Sequence, residues 1–257
     1  MLKLENICKT FNPGTVNEST LFTNFNLQVK KGEFISVIGS NGSGKTTILN
    51  IICGTIPLDS GNILVQGQNI NKLKEYQRSK FIGRVFQDPA KGTCPSMTIL
   101  QNMAMADNKG KPFNLTGGIN KKRISFYQEQ LSRLKLGLED KLHVKVGALS
   151  GGQRQAMALL MSTMTPLDFL ILDEHTAALD PKTSEIIMEL TDEIVREKQL
   201  TALMVSHNLR HAVEYGNRMI MMHQGGIVLD YDAQKKKQTR VDDILGIFNE
   251  ISIECGN

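Results

Sequence analysis

The run Gly39-Ser40-Asn41-Gly42-Ser43-Gly44-Lys45-Thr46-Thr47 constrains this chain more than any other stretch. It fits the pattern G-x-x-x-x-G-K-[ST] without a gap. Its glycines let backbone amides turn inward where a side chain would collide. Those amides make an anion-binding concavity, and a helix starting there adds the positive end of its dipole. Lys45 supplies a point charge for outer phosphates, and the Thr46 hydroxyl is placed to ligand Mg²⁺. The flanks meet the same requirement. Residues 33–38 (EFISVI) read as a short strand, apolar residues at 48, 51 and 52 have helical spacing, and Gly54 can end that helix. The segment therefore predicts an α/β fold of the P-loop NTPase kind. Kinases, GTPases and motor ATPases all use such a loop, so it implies nucleotide binding and leaves the purpose open.

The chain has 257 residues, enough for one large domain or a domain with an inserted lobe. Its 30 basic and 26 acidic residues leave a net charge of +4, too slight to argue for a nucleic-acid partner, and none is expected. No apolar run approaches the roughly 18 residues of a membrane span, and Met1-Leu2-Lys3-Leu4-Glu5 does not open a signal peptide, so a cytosolic chain is expected. Cys8, Cys53, Cys94 and Cys255 lie far apart with no metal or redox spacing, which favours reduced thiols.

Alternation at Leu2, Leu4 and Ile7, and again at Phe25, Leu27 and Val29, predicts a β-rich beginning interrupted by a polar insert at 12–20. Strands are expected at 63–65 and 82–86. Residues 88–118 lose the alternation, and 119–137 carry a helical pattern through Ile124, Tyr127, Leu131 and Leu134. We read about 88–160 as a helical lobe inserted into the sheet domain. Sheet character returns at 169–172 and 202–205. Between them Asp180 and Pro181 open a helix with a stripe at Ile186, Ile187, Leu190 and Ile194. Residues 219–222 and 227–229 around Gly225-Gly226 read as a hairpin. After an ATPase domain over 1–232, residues 233–257 are expected to form one amphipathic helical tail with Val241, Ile244, Leu245, Phe248 and Ile251 on its apolar face.

Leu149-Ser150-Gly151-Gly152-Gln153 opens another helical pattern, and a serine with two glycines at a helix start makes a second anion-seeking site. Phosphate loop, Gln87, this LSGGQ run, the apolar strand ending in Asp173-Glu174, and His207 follow one another in an order that resembles the ATP-binding subunits of ABC transporters, over about residues 1–230. The resemblance implies an ABC-type ATPase that uses ATP and Mg²⁺ and pairs head to tail with a second copy. Residues 149–153 would then close over the partner's nucleotide. It implies that Asp173, with Thr46 and Gln87, serves Mg²⁺ and that Glu174 acts as general base on the attacking water. His207 would contact the γ-phosphate, and Asp180 would lie in a loop along the dimer interface. Phe11 would stack on adenine, although a core phenylalanine is the plainer reading. His175 stands where the family commonly has proline, and Ser206 and Asn208 stand in place of its commoner Thr and Asp. His207 and His211 share the i, i+4 spacing of zinc ligands, but no third ligand is near in sequence.

The resemblance further implies integral membrane permease subunits gripped by the 88–160 lobe, and a peripheral position on the cytoplasmic face of the membrane. Residues 11–17, 83–89 and 173–180 are similar to those of bacterial uptake systems that work with a substrate-binding lipoprotein, some of them linked to aromatic amino acids. That favours an importer of a small solute. An exporter motor and an ABC ATPase of iron–sulfur assembly or DNA repair are the alternatives. A P-loop kinase or GTPase is opposed by LSGGQ together with His207.

Overall fold

The computed structural model describes residues 1–112 and 117–254, with side chains up to 251. Strands β1 (Leu2–Phe11) and β2 (Ser19–Val29) come first, followed by β3 (Phe34–Gly39) and helix α1 (Lys45–Cys53). Strands β4 (Ser60–Val65) and β5 (Gln68–Asn69), helix α2 (Glu75–Arg78) and strand β6 (Ile82–Val85) come next. Helices α3 (Ile99–Asp107), α4 (Ile124–Ser132) and α5 (Gly151–Ser162) precede β7 (Phe169–Asp173), α6 (Pro181–Glu197), β8 (Thr201–Val205) and α7 (Leu209–Glu214). Strands β9 (Arg218–His223) and β10 (Gly226–Tyr231) lead to α8 (Ala233–Gln238) and α9 (Val241–Glu254).

An antiparallel sheet has the order β2-β1-β4-β5, and a larger one the order β10-β9-β3-β8-β7-β6. In the larger sheet β9, β3, β8, β7 and β6 run parallel and β10 returns antiparallel. The first sheet alternates in and out until Leu4, then skips to Ile7. A register shift lies between these two residues, and Asn6 takes a left-handed φ of 51° there, so Ile7 regains the buried side. The parallel strands β7 and β8 are buried at every residue because both faces are covered. Ile35, Val37, Ile171, Leu203 and Val205 face α1 and the antiparallel sheet. Leu170, Leu172, Ala202 and Met204, one residue out of phase, face Met188, Ile194 and Val195 of α6. The period of two thus sorts each strand's side chains between two cores.

Helices α3, α4 and α5 gather round a core of their own that includes Ile99, Met103, Tyr127, Leu131, Met157 and Leu160. Its polar fastener is Asp107. Arg123 Nη2 lies 2.7 Å from Asp107 Oδ1, and the Tyr127 hydroxyl donates to Oδ2 at 3.0 Å. Tyr127 is buried, and that burial together with the carboxylate pushes its hydroxyl up to about 12, which keeps it a donor. The tail differs from the single helix its sequence pattern predicts. It is two helices, broken at Thr239 and Arg240, with Ile244, Ile247, Phe248 and Ile251 of α9 packed near Ile38, Met219 and Met221. The lysine run before the break is divided as well. Lys236 is buried and donates to the carbonyls of Tyr215 and Gly216, while Lys235 stays outside over the Tyr231 ring.

Asp107→Ala removes the acceptor shared by Arg123 and Tyr127 and leaves the Tyr127 hydroxyl unpaired inside a core. We expect a loss of about 2–3 kcal/mol in urea unfolding, with Tyr127→Phe losing about 1 kcal/mol. Stabilities within 0.5 kcal/mol of the parent for Asp107→Ala would show that the helices are held by apolar packing alone.

Candidate active site

Parallel strands β3, β8 and β7 end level with one another. Val37 stands opposite Val205, and Val205 opposite Asp173. Two further bonds extend this row past the strand ends. Ser206 N–H donates to Val37 O, and Glu174 N–H donates to Val205 O, each at 3.1 Å. Residues 39–47, 173–174 and 206–207 therefore leave the sheet along one carboxyl edge, where open α/β sheets gather ligands. On the far side of β7, Val85 is opposite Leu172, so the exposed Gln87 emerges beside Glu174 at the same edge.

The phosphate loop is shaped by close approach. A Cβ on Gly39 would stand 2.1 Å from Met222 O, and one on Gly44 would stand 2.7 Å from the Phe22 ring. Gly44, with φ 101°, begins α1 without a side-chain cap, and no acidic residue follows in the first turn. The first-turn amides of such a helix have no carbonyl to donate to. Lys45 Nζ folds back to donate to Gly39 O and Ser40 O, both at 2.8 Å. Burial lowers its pKa, and the charge of Glu174 opposes that shift. Ser43 Oγ is buried with no hydrogen-bond partner. Open amides, an ammonium and an orphaned hydroxyl are what a phosphate chain requires. The loop is braced by the β9–β10 hairpin through Ser40 Oγ with His223 Nδ1 at 3.2 Å and Gly225 N–H to Ser43 O at 3.2 Å. Exposed Asn41 and Gly42, and Thr46 and Thr47, line the open side. Phe11 is half-buried rather than part of a core. It lies opposite Ser19, two residues ahead of the Leu21-Phe22 pair that packs on Gly44, with Lys9 Nζ 5.5 Å from its ring.

At the ends of β7 and β8 lie the two carboxylates. Asp173 is buried, and its Oδ2 is 2.6 Å from Arg84 Nη2. Glu174 adopts a left-handed φ of 47°, a conformation that costs a side-chain-bearing residue about 1–3 kcal/mol. Its Oε1 lies 2.7 Å from His207 Nε2, within ion-pair distance. The glutamate side chain is 15% exposed and the histidine 46%, so the pair faces solvent through the imidazole. Ser206 and Asn208, which depart from the family's commoner residues, build the turn that presents His207. Asn208 N–H donates to Ser206 Oγ at 3.1 Å, and the Asn208 side chain caps α7. His211 points elsewhere, with Nε2 3.4 Å from Glu185 Oε2. The oxygens of Thr46, Asp173 and Gln87 are hard donors of the sort Mg²⁺ takes, and they emerge along the same edge.

His175 now has a physical account. It is buried, and its Nε2 lies 3.1 Å from Thr191 Oγ1. That hydroxyl spends its own proton on Ile187 O at 2.7 Å, so the imidazole must be the donor. A neutral ring pins residue 175 to α6.

Leu149–Gln153 make no hydrogen bond to residues 39–47 among the described residues. Ser150 caps α5 by accepting from Gln153 N at 3.2 Å, with the Gln153 side chain reaching back to Ser150 N–H at 3.1 Å. Gly151 faces Leu179, and a Cβ on Gly152 would meet Thr183 Cγ2 at 2.3 Å. Asp180 caps α6 through Thr183 N–H at 3.0 Å, so these glycines and the Asp180 turn form one packed unit. Sequence reasoning missed two residues. Arg84 was detectable as a charge inside an apolar strand. Gln155, buried on α5, donates from Nε2 to Phe86 O at 3.0 Å and so ties the chain just before Gln87 to the LSGGQ helix. Its only sequence signal was a polar residue on a face that must be buried.

Burial, with a smaller push from His211, lowers His175 to about 3 from 6.5. Between those values the unfolded chain binds a proton that the folded chain refuses. Stability present above pH 6.5 is therefore lost as pH falls, by up to about 1.4 kcal/mol per pH unit from this group. Urea unfolding at pH 7 and pH 5 should show a smaller difference for His175→Gln than for the parent; an equal difference would mean that other groups carry the acid sensitivity.

Comparison with known proteins places this edge in context. Residues 22–177 match the family model described as ABC transporter. A tyrosine transport ATP-binding protein of Clostridioides difficile (strain R20291) is 48% identical over 96% of this chain and 98% of its own length. A phosphonates import ATP-binding protein of Lactococcus lactis subsp. lactis (strain IL1403) is 31% identical over 95% of this chain and 98% of its own. Among solved structures, an ATP-binding cassette in a dimeric post-hydrolysis state with ADP and Pi superposes with a TM-score of 0.77. It is 30% identical, over 91% of this chain and 99% of that one. No helix among the described residues is long and apolar enough to cross a membrane. The chain belongs to the ABC transporter family, as one of its ATP-binding, ATP-hydrolysing subunits.

Proposed function

We propose that this subunit powers an importer of a small solute, an aromatic amino acid being the first candidate, from the cytoplasmic face of the membrane. Its partners are a second copy, integral permease subunits and, through them, a substrate-binding lipoprotein. The observation that carries the ATPase part is the convergence of loop 39–47, Asp173, Glu174 and His207 on one sheet edge. The cargo rests on the 48% relative, whose printed name specifies tyrosine transport.

In this reading, residues 39–47 cradle the phosphates of ATP, with Lys45 leaving its two carbonyls for the outer phosphate oxygens. Phe11 stacks on the adenine. Thr46, Asp173 and Gln87 hold Mg²⁺, which supplies charge neutralisation at the phosphates. Glu174 takes a proton from the attacking water, and its left-handed backbone sets the carboxylate at the strand end rather than along β7. His207, already within ion-pair distance of Glu174, orients that carboxylate and reaches the γ-phosphate. Ser150, Gly151 and Gly152 serve the partner's nucleotide, with Leu149 and Gln153 framing the helix start and Asp180 at the copy-to-copy contact. Residues 1–232 form the ATPase domain, 88–160 its lobe and 233–257 the tail. A groove bordered by β6, α3 and α5 is lined by Phe86 and Met161 and by Arg78, Arg84 and Lys109 against Glu75. We assign it to a permease helix bearing a carboxylate, which such a basic lining would attract.

Glu174→Gln keeps the shape of the side chain and removes the base. Turnover in the assembled complex should fall by about 10²–10⁴-fold while ATP binding persists and an ATP-bound dimer accumulates in size-exclusion chromatography. Near-parental hydrolysis would overturn the assignment of Glu174. If the site is completed by a second copy, specific ATPase activity of the isolated subunit should rise with its concentration. A constant specific activity across the dimerisation range would argue for a self-sufficient monomer.

A further inference from the structure

Arg84 sits in the middle of β6, between Gly83 and Val85, on a strand buried by its neighbours. Its side chain is 12% exposed. One nitrogen, Nη2, holds Asp173 Oδ2 at 2.6 Å, and the guanidinium lies 4.6 Å from the Phe86 ring centroid. The neighbouring Cys53 thiol, pushed up to about 11 by burial, stays neutral and gives it no counter-charge. Nε is buried with no partner. Arg78, by contrast, places its donors on the carbonyls of Ile51, Ile52, Leu73 and Asn71. Arg84 leaves a donor open and commits its charge to the one carboxylate that the proposed function gives to Mg²⁺.

A carboxylate neutralised at 2.6 Å by a cation in a low-dielectric setting attracts a second cation less strongly. The geometry points to Arg84 as a resident counter-cation that competes with Mg²⁺ for Asp173 and sets how much Mg²⁺ the nucleotide site needs. This rests on the reading of 39–47 and Asp173 as a Mg²⁺–nucleotide site. Arg84 touches no reacting atom and acts through Asp173, so it is a positioning residue. Because the same side chain borders the groove assigned to the permease, a carboxylate seated there would share the guanidinium and loosen its hold on Asp173.

The test is a Mg²⁺ titration of MANT-ATP fluorescence on the full-length subunit, which reads binding rather than turnover. Arg84→Met fills the buried space without charge. It should lower the half-saturating Mg²⁺ concentration about tenfold, with metal-free MANT-ATP affinity unchanged within about twofold. Arg84→Lys keeps the charge and should stay near the parent. If the Met variant fails to fold, Arg84→Gln carries the same expectation. An unchanged Mg²⁺ requirement in the folded neutral variant, or a higher one, overturns the competition. The parent and Lys45→Ala separate failure of the site from failure of the Arg84 role. MANT-ATP binding that ignores both Mg²⁺ and Lys45→Ala overturns the site itself. Binding that depends on both, with no shift on neutralising Arg84, overturns the Arg84 role alone.

Discussion

The amide of Glu174 donating to the Val205 carbonyl decides the architecture of the site. It extends the β7–β8 pairing one residue beyond Asp173 and holds Glu174 in a left-handed conformation that an unsupported glutamate would abandon. The chain turns sharply there, and the carboxylate meets His207 at the end of the neighbouring strand. The parallel register does the rest, because Val37, Val205 and Asp173 share a row and so three separate segments reach the same edge. Without that register the residues would remain in the sequence and have no common site.

The second constraint is mechanical. The helices α3, α4 and α5 have their own core, distinct from those on either face of the parallel sheet. The cores touch through apolar side chains, Ile187 of α6 entering the helical one and Leu159 of α5 the sheet one, and polar links add to that contact. The Gln155 side chain to the Phe86 carbonyl is one, made by a buried residue on the LSGGQ helix to the backbone just ahead of Gln87. Gln155 Oε1 is buried and unpaired in this arrangement, so the link is half satisfied. A buried amide with an unmet acceptor favours an arrangement that supplies a donor.

The phosphate loop, the Asp180 cap, the hairpin and most strands were legible in the sequence because each is dictated locally. A glycine run must turn, and an aspartate before proline caps a helix. What could not be read is set by tertiary register. The bulge at Asn6 appears in sequence only as two residues, rather than one, between Leu4 and Ile7. The break in the tail at Thr239 and Arg240 has no glycine or proline to announce it, and the burial of Lys236 between solvent-side lysines inverts the usual reading of a basic run. His175 had no meaning until Thr191, sixteen residues on, supplied its partner. Arg84 was visible as an anomaly, but the carboxylate that explains it lies on a neighbouring strand.

Charge bookkeeping at the edge ties these observations together. Burying Lys45, Arg84, Asp173 and Glu174 near one another would be costly if each were left alone. Each has instead a partner within the chain: Lys45 the carbonyls of its own loop, Arg84 the Asp173 carboxylate, Glu174 the His207 ring. A ligand entering such a site exchanges partners rather than supplying the first ones. Its affinity is then the difference between new contacts and those released, and selectivity follows from how completely it replaces them. A phosphate chain can draw Lys45 from two neutral carbonyls at modest expense, because a charged acceptor outbids neutral ones. Separating Arg84 from Asp173 is harder, since both members are buried and charged. The edge is therefore readily opened on the loop side and tightly held on the β6 side, which faces the groove between the sheet and the helices.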